Sequence, residues 1–161
     1  MEDILKGDIV VSRELSPGSL IIRAVTWSKW SHVGVCLGDG TFISAVPFKG
    51  VIIKPLDTVK YKAFYRLKAD LHKRHAIADF CLDRLKDKYD MALVALLAWR
   101  IFTDSLSTNT GDPAEHKYTC SELVAEACAS QGIFFGAIVD NVLPVTIAKS
   151  DLVELIQPQQ D

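Results

Sequence analysis

Lys117-Tyr118-Thr119-Cys120-Ser121-Glu122-Leu123-Val124 is the stretch on which the reading of this chain turns. A threonine followed three residues later by a glutamate, just ahead of an apolar run, is the sequence form of a capping box. Thr119 is therefore the expected N-cap and Cys120 the first residue of a helix. A thiol at that place sits at the positive end of the helix dipole, among backbone N–H groups without intrahelical partners, and its thiolate is favoured. The thiolate is the nucleophilic form, and the same N–H groups are placed to steady an oxyanion during acyl transfer. The competing reading is a small hydrophobe filling the first turn of a core-facing helix.

Upstream runs Trp30-Ser31-His32-Val33-Gly34-Val35-Cys36-Leu37-Gly38-Asp39-Gly40, a β-branched and apolar stretch stopped by Gly-Asp-Gly. It reads as a strand entering a hairpin. At period two, His32, Gly34 and Cys36 share one face, and Val33, Val35 and Leu37 the other. A histidine at the start of a strand, beside a glycine, has room next to it for another side chain. Alone it reads as a structural histidine; paired with a cysteine at a helix N-terminus it becomes a candidate base.

The order of these two segments, histidine hairpin first and cysteine helix later, resembles the circularly permuted branch of the NlpC/P60 papain-like superfamily, and within it the YiiX/YebB-like group. Leu5-Lys6-Gly7-Asp8-Ile9-Val10-Val11 is similar to the opening Gly-Asp turn and first strand of that group. Ser31-His32-Val33-Gly34-Val35 through Gly38-Asp39-Gly40 resembles its histidine hairpin, and Gly50-Val51-Ile52-Ile53 the strand that follows. Lys88-Tyr89-Asp90 looks like its Tyr-Asp before a helix, Tyr118 to Leu123 its nucleophile segment, and Pro144 to Ser150 its closing element. Each match is short, but together they run in order from residue 5 to about residue 155.

The resemblance implies a single α+β domain over residues 1–161, with an antiparallel sheet or partial barrel packed against helices and the nucleophile at a helix N-terminus. It implies a cysteine hydrolase of amidase or endopeptidase type, with Cys120 as nucleophile and His32 as base. Tyr118 and Tyr89 would line or support the cleft, with ordinary packing as the alternative for each. One position departs from the pattern. Where the group carries a glutamate that orients the histidine, Thr41-Phe42-Ile43-Ser44-Ala45 offers Ser44. A serine hydroxyl holds an imidazole by a hydrogen bond but does not offset the charge of an imidazolium. Loss of a carboxylate orienter costs orders of magnitude in rate where histidine acts as base, although a thiol needs less help than a hydroxyl. Asp8, Asp39 and Asp90 are the substitute carboxylates to consider.

Composition suits such a domain. The 161 residues are enough for a proper core without disulfides or metal, and 49% hydrophobic with 24% charged residues is ordinary for a globular protein. A formal net charge of -2 argues against a nucleic-acid partner. The cluster His72-Lys73-Arg74-His75 reads as the solvated start of a helix, and neither these histidines nor His116 is expected to be the base. Cys36, Cys81, Cys120 and Cys128 show no CxxC spacing, so no metal site, cofactor or redox pair is expected, and all but Cys120 read as core filler.

Strands are expected at 8–11, 32–37, 41–46, 51–54 and 62–67, and helices at 18–27, about 70–87, 91–103 and 120–131. Trp27, in the first of these helices, falls close to His32 in sequence. Residues 104–116 are polar and turn-rich and read as a long loop, either a lid or a surface excursion. The apolar run from Met91 to Trp99 falls far short of the roughly 20 residues that span a bilayer, and reads as a buried helix, with membrane-surface contact as the alternative. The first residues, Met1 to Asp8, lack a basic region followed by an apolar core, so no secretory signal is expected and the protein is expected in the cytoplasm as made. The expected substrate is a peptide or amide, including bacterial cell-wall peptides. A cell-wall target would require a dedicated secretion system, as for an exported toxin with an immunity partner. Two other functions fit the same residues: a lipid acyl hydrolase or acyltransferase, and a binding module in which Ser44 marks lost catalysis.

Overall fold

The computed structural model describes residues 3–13, 29–89, 117–136 and 142–160. The expected helices at 18–27 and 91–103, the loop at 104–116, and Trp27, Asp90 and His116 fall outside them. The described strands are β1 (Ile9–Arg13), β2 (His32–Cys36), β3 (Thr41–Val46), β4 (Gly50–Pro55), β5 (Tyr61–Leu67), β6 (Lys88–Tyr89), β7 (Lys117–Tyr118) and β8 (Val153–Gln160). The described helices are α1 (Leu71–Asp83), α2 (Cys120–Ala129) and α3 (Pro144–Ala148), with one 3-10 turn at Leu56–Thr58.

Six strands form an antiparallel sheet in the order β4-β3-β2-β1-β5-β8. The sheet is open, ending on β4 and β8. The fold is α+β, as expected, but this part of it is an open sheet rather than a partial barrel. Period-two alternation assigns its faces. Ile9, Val11, Val33, Val35, Ile43, Ala45, Val51, Ala63 and Leu67 point to one side, where they join Ile77, Ala78 and Cys81 of α1 and Leu123, Val124, Ala127 and Cys128 of α2 in the main core. The other side carries a smaller cluster of Val10, Cys36, Phe42, Val59 and Phe64.

The Gly7-Asp8 turn locks the edge of the helix layer to the sheet. Gly7 has φ +87, and a Cβ there would lie 2.2 Å from the Arg74 carbonyl oxygen, so only glycine fits. Asp8, fully buried, accepts from Arg66 Nε and Nη2 at 2.9 and 2.8 Å, from Arg74 Nη1 at 3.4 Å and from the Leu5 N–H at 2.8 Å. Arg74 therefore does not belong to the solvated face expected for His72 to His75; it turns inward to the aspartate. Helix α1 is shorter than the sequence suggested. Asp70 caps its start and it ends at Asp83, where Arg84, Leu85 and Lys86 turn the chain, Lys86 with φ 78. Strand β8 was not expected. Its polar sequence includes Pro158, which an edge strand tolerates because one side of its backbone needs no ladder partner.

Candidate active site

Cys120 is the first residue of α2, and the capping box is complete. The Thr119 N–H donates to Glu122 Oε2 at 2.7 Å, and the Glu122 N–H donates to Thr119 Oγ1 at 3.3 Å. The side chains of Thr119 and Glu122 thus use up two of the backbone donors and leave the thiol at the dipole's positive end. Cys120 is 5% exposed and belongs to the main core cluster.

His32 opens β2 and is buried. Its Nε2 lies 2.9 Å from Ser44 Oγ, and its ring meets Phe42 edge-on with centroids 6.5 Å apart. Gly34 makes this possible. It stands beside Ser44 in the extrapolated β2–β3 register, and a Cβ on it would come within 2.6 Å of Phe42 Cδ2, 2.7 Å of the Ile43 carbonyl oxygen and 3.1 Å of Ser44 Cβ. The empty position is filled by Phe42 and Ser44 reaching toward the imidazole. Gly34→Ala is accordingly expected to destabilise the protein by about 1–3 kcal/mol, the usual cost of overpacking a tight site. Urea denaturation would register it as a lower midpoint; an unchanged midpoint would mean that the space beside His32 is not limiting.

The structure brings His32 and Ser44 together directly. Helix α2, which Cys120 opens, packs against β2 and β3, the strands that carry them. By alternation His32 and Ser44 leave the sheet on the side of Phe42 and Cys36, whereas Cys120 lies in the cluster on the helix side. No sheet face is shared, and α2 packs on the two strands that carry His32 and Ser44. β2 and β3 pair at Val35–Ile43 and Cys36–Phe42, and His32 lies beyond that paired segment.

Two segments that are far apart in sequence meet beside Cys120. β6 pairs with β7 in parallel, Lys88 with Lys117 and Tyr89 with Tyr118. The Tyr118 hydroxyl accepts from Arg84 Nε at 2.8 Å, and the ring is 8% exposed. Burial raises its pKa, opposed by the Arg84 hydrogen bond. Arg84 also stacks over Phe80 and approaches Glu126 of α2 at 3.9 Å, so it ties the end of α1 to the strand that delivers Cys120. Tyr118 is thus a packed, hydrogen-bonded anchor of the segment that leads into Cys120. Arg84 was not singled out from the sequence, where an arginine after a helix carries no distinguishing signal. Of the substitute carboxylates, Asp8 is committed to Arg66 and Arg74. Asp39 lies in the exposed hairpin turn, where hydrogen bonds from the Thr41 hydroxyl and N–H lower its pKa.

Cys36, Cys81 and Cys128 are completely buried, as expected for core filler. Desolvation pushes the Cys81 thiol up to about 12 and raises those of Cys36 and Cys128 as well, with Asp8 adding to the effect at Cys36. These are thiols that stay protonated in the folded protein. Because the unfolded chain ionises first, the stability they confer is present below the ordinary thiol value and declines as pH rises above it.

No protein-family model matches this sequence, and no curated protein matches it. Among solved structures five chains match. One is the crystal structure of the metalloprotein yiiX from Escherichia coli O157:H7, with a TM-score of 0.62 and 16% sequence identity, covering 99% of this chain and 100% of that chain. The fold of the present chain is therefore YiiX-like.

Proposed function

We propose that this protein is a thiol hydrolase of the permuted papain-like kind, cleaving amide or peptide bonds with Cys120 as nucleophile and His32 as base. The observation that carries the reading is the complete capping box that sets Cys120 at the start of α2, a helix packed on the two strands that hold the buried His32–Ser44 pair. With Nε2 turned to Ser44, Nδ1 is the ring nitrogen assigned the role of base in this reading. Nδ1 takes the thiol proton and the thiolate attacks the acyl carbon. The oxyanion that forms is steadied by N–H groups at the start of α2. The C–N bond then breaks, the imidazolium gives its proton to the leaving amine, and a thioester remains. Water, losing a proton to Nδ1, attacks the thioester to release the acid and restore the thiol.

Ser44 suits this cycle because its hydroxyl accepts from Nε2–H when the ring is charged and holds the same orientation when it is neutral. It supplies orientation without compensating charge, so the helix terminus must do more of the work of stabilising the thiolate. The similar structure is described as a metalloprotein. Among the described residues no three His, Cys, Asp or Glu side chains are grouped to hold an ion, and the side chain meeting His32 is a hydroxyl. These residues do not fit a metal, and the proposed chemistry uses thiol and imidazole. Peptides of the bacterial cell wall are the first substrates to screen.

The test is the pH dependence of alkylation by iodoacetamide, read at each cysteine by peptide mass spectrometry. Cys120 is expected to react well below its ordinary thiol pKa of about 8.5, while Cys36, Cys81 and Cys128 stay unreactive in the folded protein. A Cys120 as slow as its three buried companions would overturn the proposal.

A further inference from the structure

Phe48 forms the tip of the β3–β4 hairpin and is 87% exposed, more than any other large apolar side chain among the described residues. Pro47, Phe48 and Lys49 bridge the Val46–Gly50 pair, and the Lys49 N–H donates to the Val46 carbonyl at 3.1 Å. Phe48 stands at φ 63, a left-handed conformation that a bulky L-residue adopts at a cost. A ring held in water on a strained backbone buries little against its own fold. The reason for it lies outside the fold.

A second backbone outlier lies against the first. Lys86, with φ 78, is the only other non-glycine residue of positive φ among the described residues. Its N–H donates to the Val51 carbonyl at 2.9 Å, and the Val51 N–H donates to the Asp87 carbonyl at 2.8 Å, so the turn at 85–88 is bound to the start of β4. Gly50 permits the approach, since a Cβ there would lie 2.1 Å from the Asp87 carbonyl oxygen. The two turns lie side by side and expose Phe48 and Leu85 together with Lys49, Lys86 and Lys88. None of these lysines is held in an ion pair among the described residues, and Asp87, half-buried, is the one carboxylate within either turn. Lys88 opens β6, whose partner β7 leads through Thr119 into Cys120.

We propose that these two turns form a docking site for an anionic membrane surface, with Phe48 entering the boundary between headgroups and acyl chains and the three lysines facing the headgroups. An acidic protein surface would match the lysines but would need a pocket fitted to the ring. A bilayer takes a single protruding aromatic ringed by cations without one.

The test is sedimentation of the full chain with vesicles of phosphatidylcholine alone, or of phosphatidylcholine and phosphatidylglycerol in equal parts. Binding is expected to the mixed vesicles, weakening as salt is raised, and not to phosphatidylcholine alone. Phe48→Ala is expected to weaken it about tenfold or more, the scale of one large apolar side chain left in water. Lys86→Gln and Lys88→Gln are each expected to weaken it about fivefold. Phe48→Gly suits φ 63 without strain, so it is expected to lose binding as the alanine variant does, at a urea midpoint no lower than that of the wild type. A lower midpoint would mean that the ring serves the fold, and overturns the proposal. So does a wild type that ignores the mixed vesicles or binds both kinds equally, or a Phe48→Ala variant that binds as the wild type does. Binding to polyglutamate with none to vesicles would identify an acidic protein partner and overturns it too. Cys120→Ala is expected to bind vesicles as the wild type does, so the docking site stands or falls separately from the thiol-hydrolase reading.

Discussion

Cys120→Ala is expected to reduce amide hydrolysis by at least about a thousandfold, since removing the nucleophile of a covalent mechanism leaves only the binding site and its oxyanion donors. The loss is expected without loss of fold. The capping box is built from Thr119 and Glu122 and does not use the cysteine side chain, and alanine is a good residue for a helical first turn. The partner experiment at His32 needs more care. His32→Ala removes the base but also strands the fully buried Ser44 hydroxyl, a penalty of about 1–3 kcal/mol for an unmet buried polar group. His32→Gln retains a polar partner for Ser44 while lacking a base of suitable pKa. It should lose turnover on the same scale as Cys120→Ala, with a smaller fall in thermal midpoint than the alanine variant shows. Hydrolysis by Cys120→Ala at the wild-type rate, with cell-wall peptides or any other amide, would mean that the thiol is not the nucleophile.

The largest effect on stability is expected at Asp8. Asp8→Asn keeps the shape of the side chain and an oxygen for the Leu5 N–H, but it removes the buried counter-charge that Asp8 offers to Arg66 and Arg74. Breaking a buried ion pair from one side costs about 3–5 kcal/mol, roughly a fifth or more of the stability of an ordinary domain. For a chain of this size that corresponds to a thermal midpoint lower by about 6–20 °C. Replacing all three residues, Asp8→Leu with Arg66→Met and Arg74→Met, is expected to recover much of the loss, because no unpaired charge then remains. A midpoint for Asp8→Asn within a degree or two of wild type would show that the cluster is solvated enough to be dispensable. Residue 8 matters here through the contacts between β1, β5 and α1, with no role assigned to it in the chemistry.

Much of this was legible in the chain because local rules decide it. The capping box at Thr119 and Glu122 is a four-residue pattern, and it forms as read. Alternation across His32 to Cys36 assigned the two faces of β2 correctly, and Thr41–Val46 begins and ends where its residues suggested. The burial of Cys36, Cys81 and Cys128 followed from the kind of residue they are. Where local patterns were weak, the sequence said less. Strand β8 has polar residues and a proline, and it is a strand because β5 offers it a ladder at the sheet edge. Arg74 sits in a run of charges that looks solvated, and it turns inward because Gly7 lets the chain approach and Asp8 waits there.

The sequence by itself therefore determined the α+β class, the cysteine at a helix start and the histidine at a strand start, since each depends on neighbours within a few residues. Tertiary structure alone decided which side chains meet. It seated Ser44 against His32 through the space that Gly34 leaves, paired the backbones of β6 and β7, and committed Asp8 to two arginines. Those pairings depend on strand register and on how α2 crosses the sheet. Both are set by the burial of a common core rather than by any local run of residues.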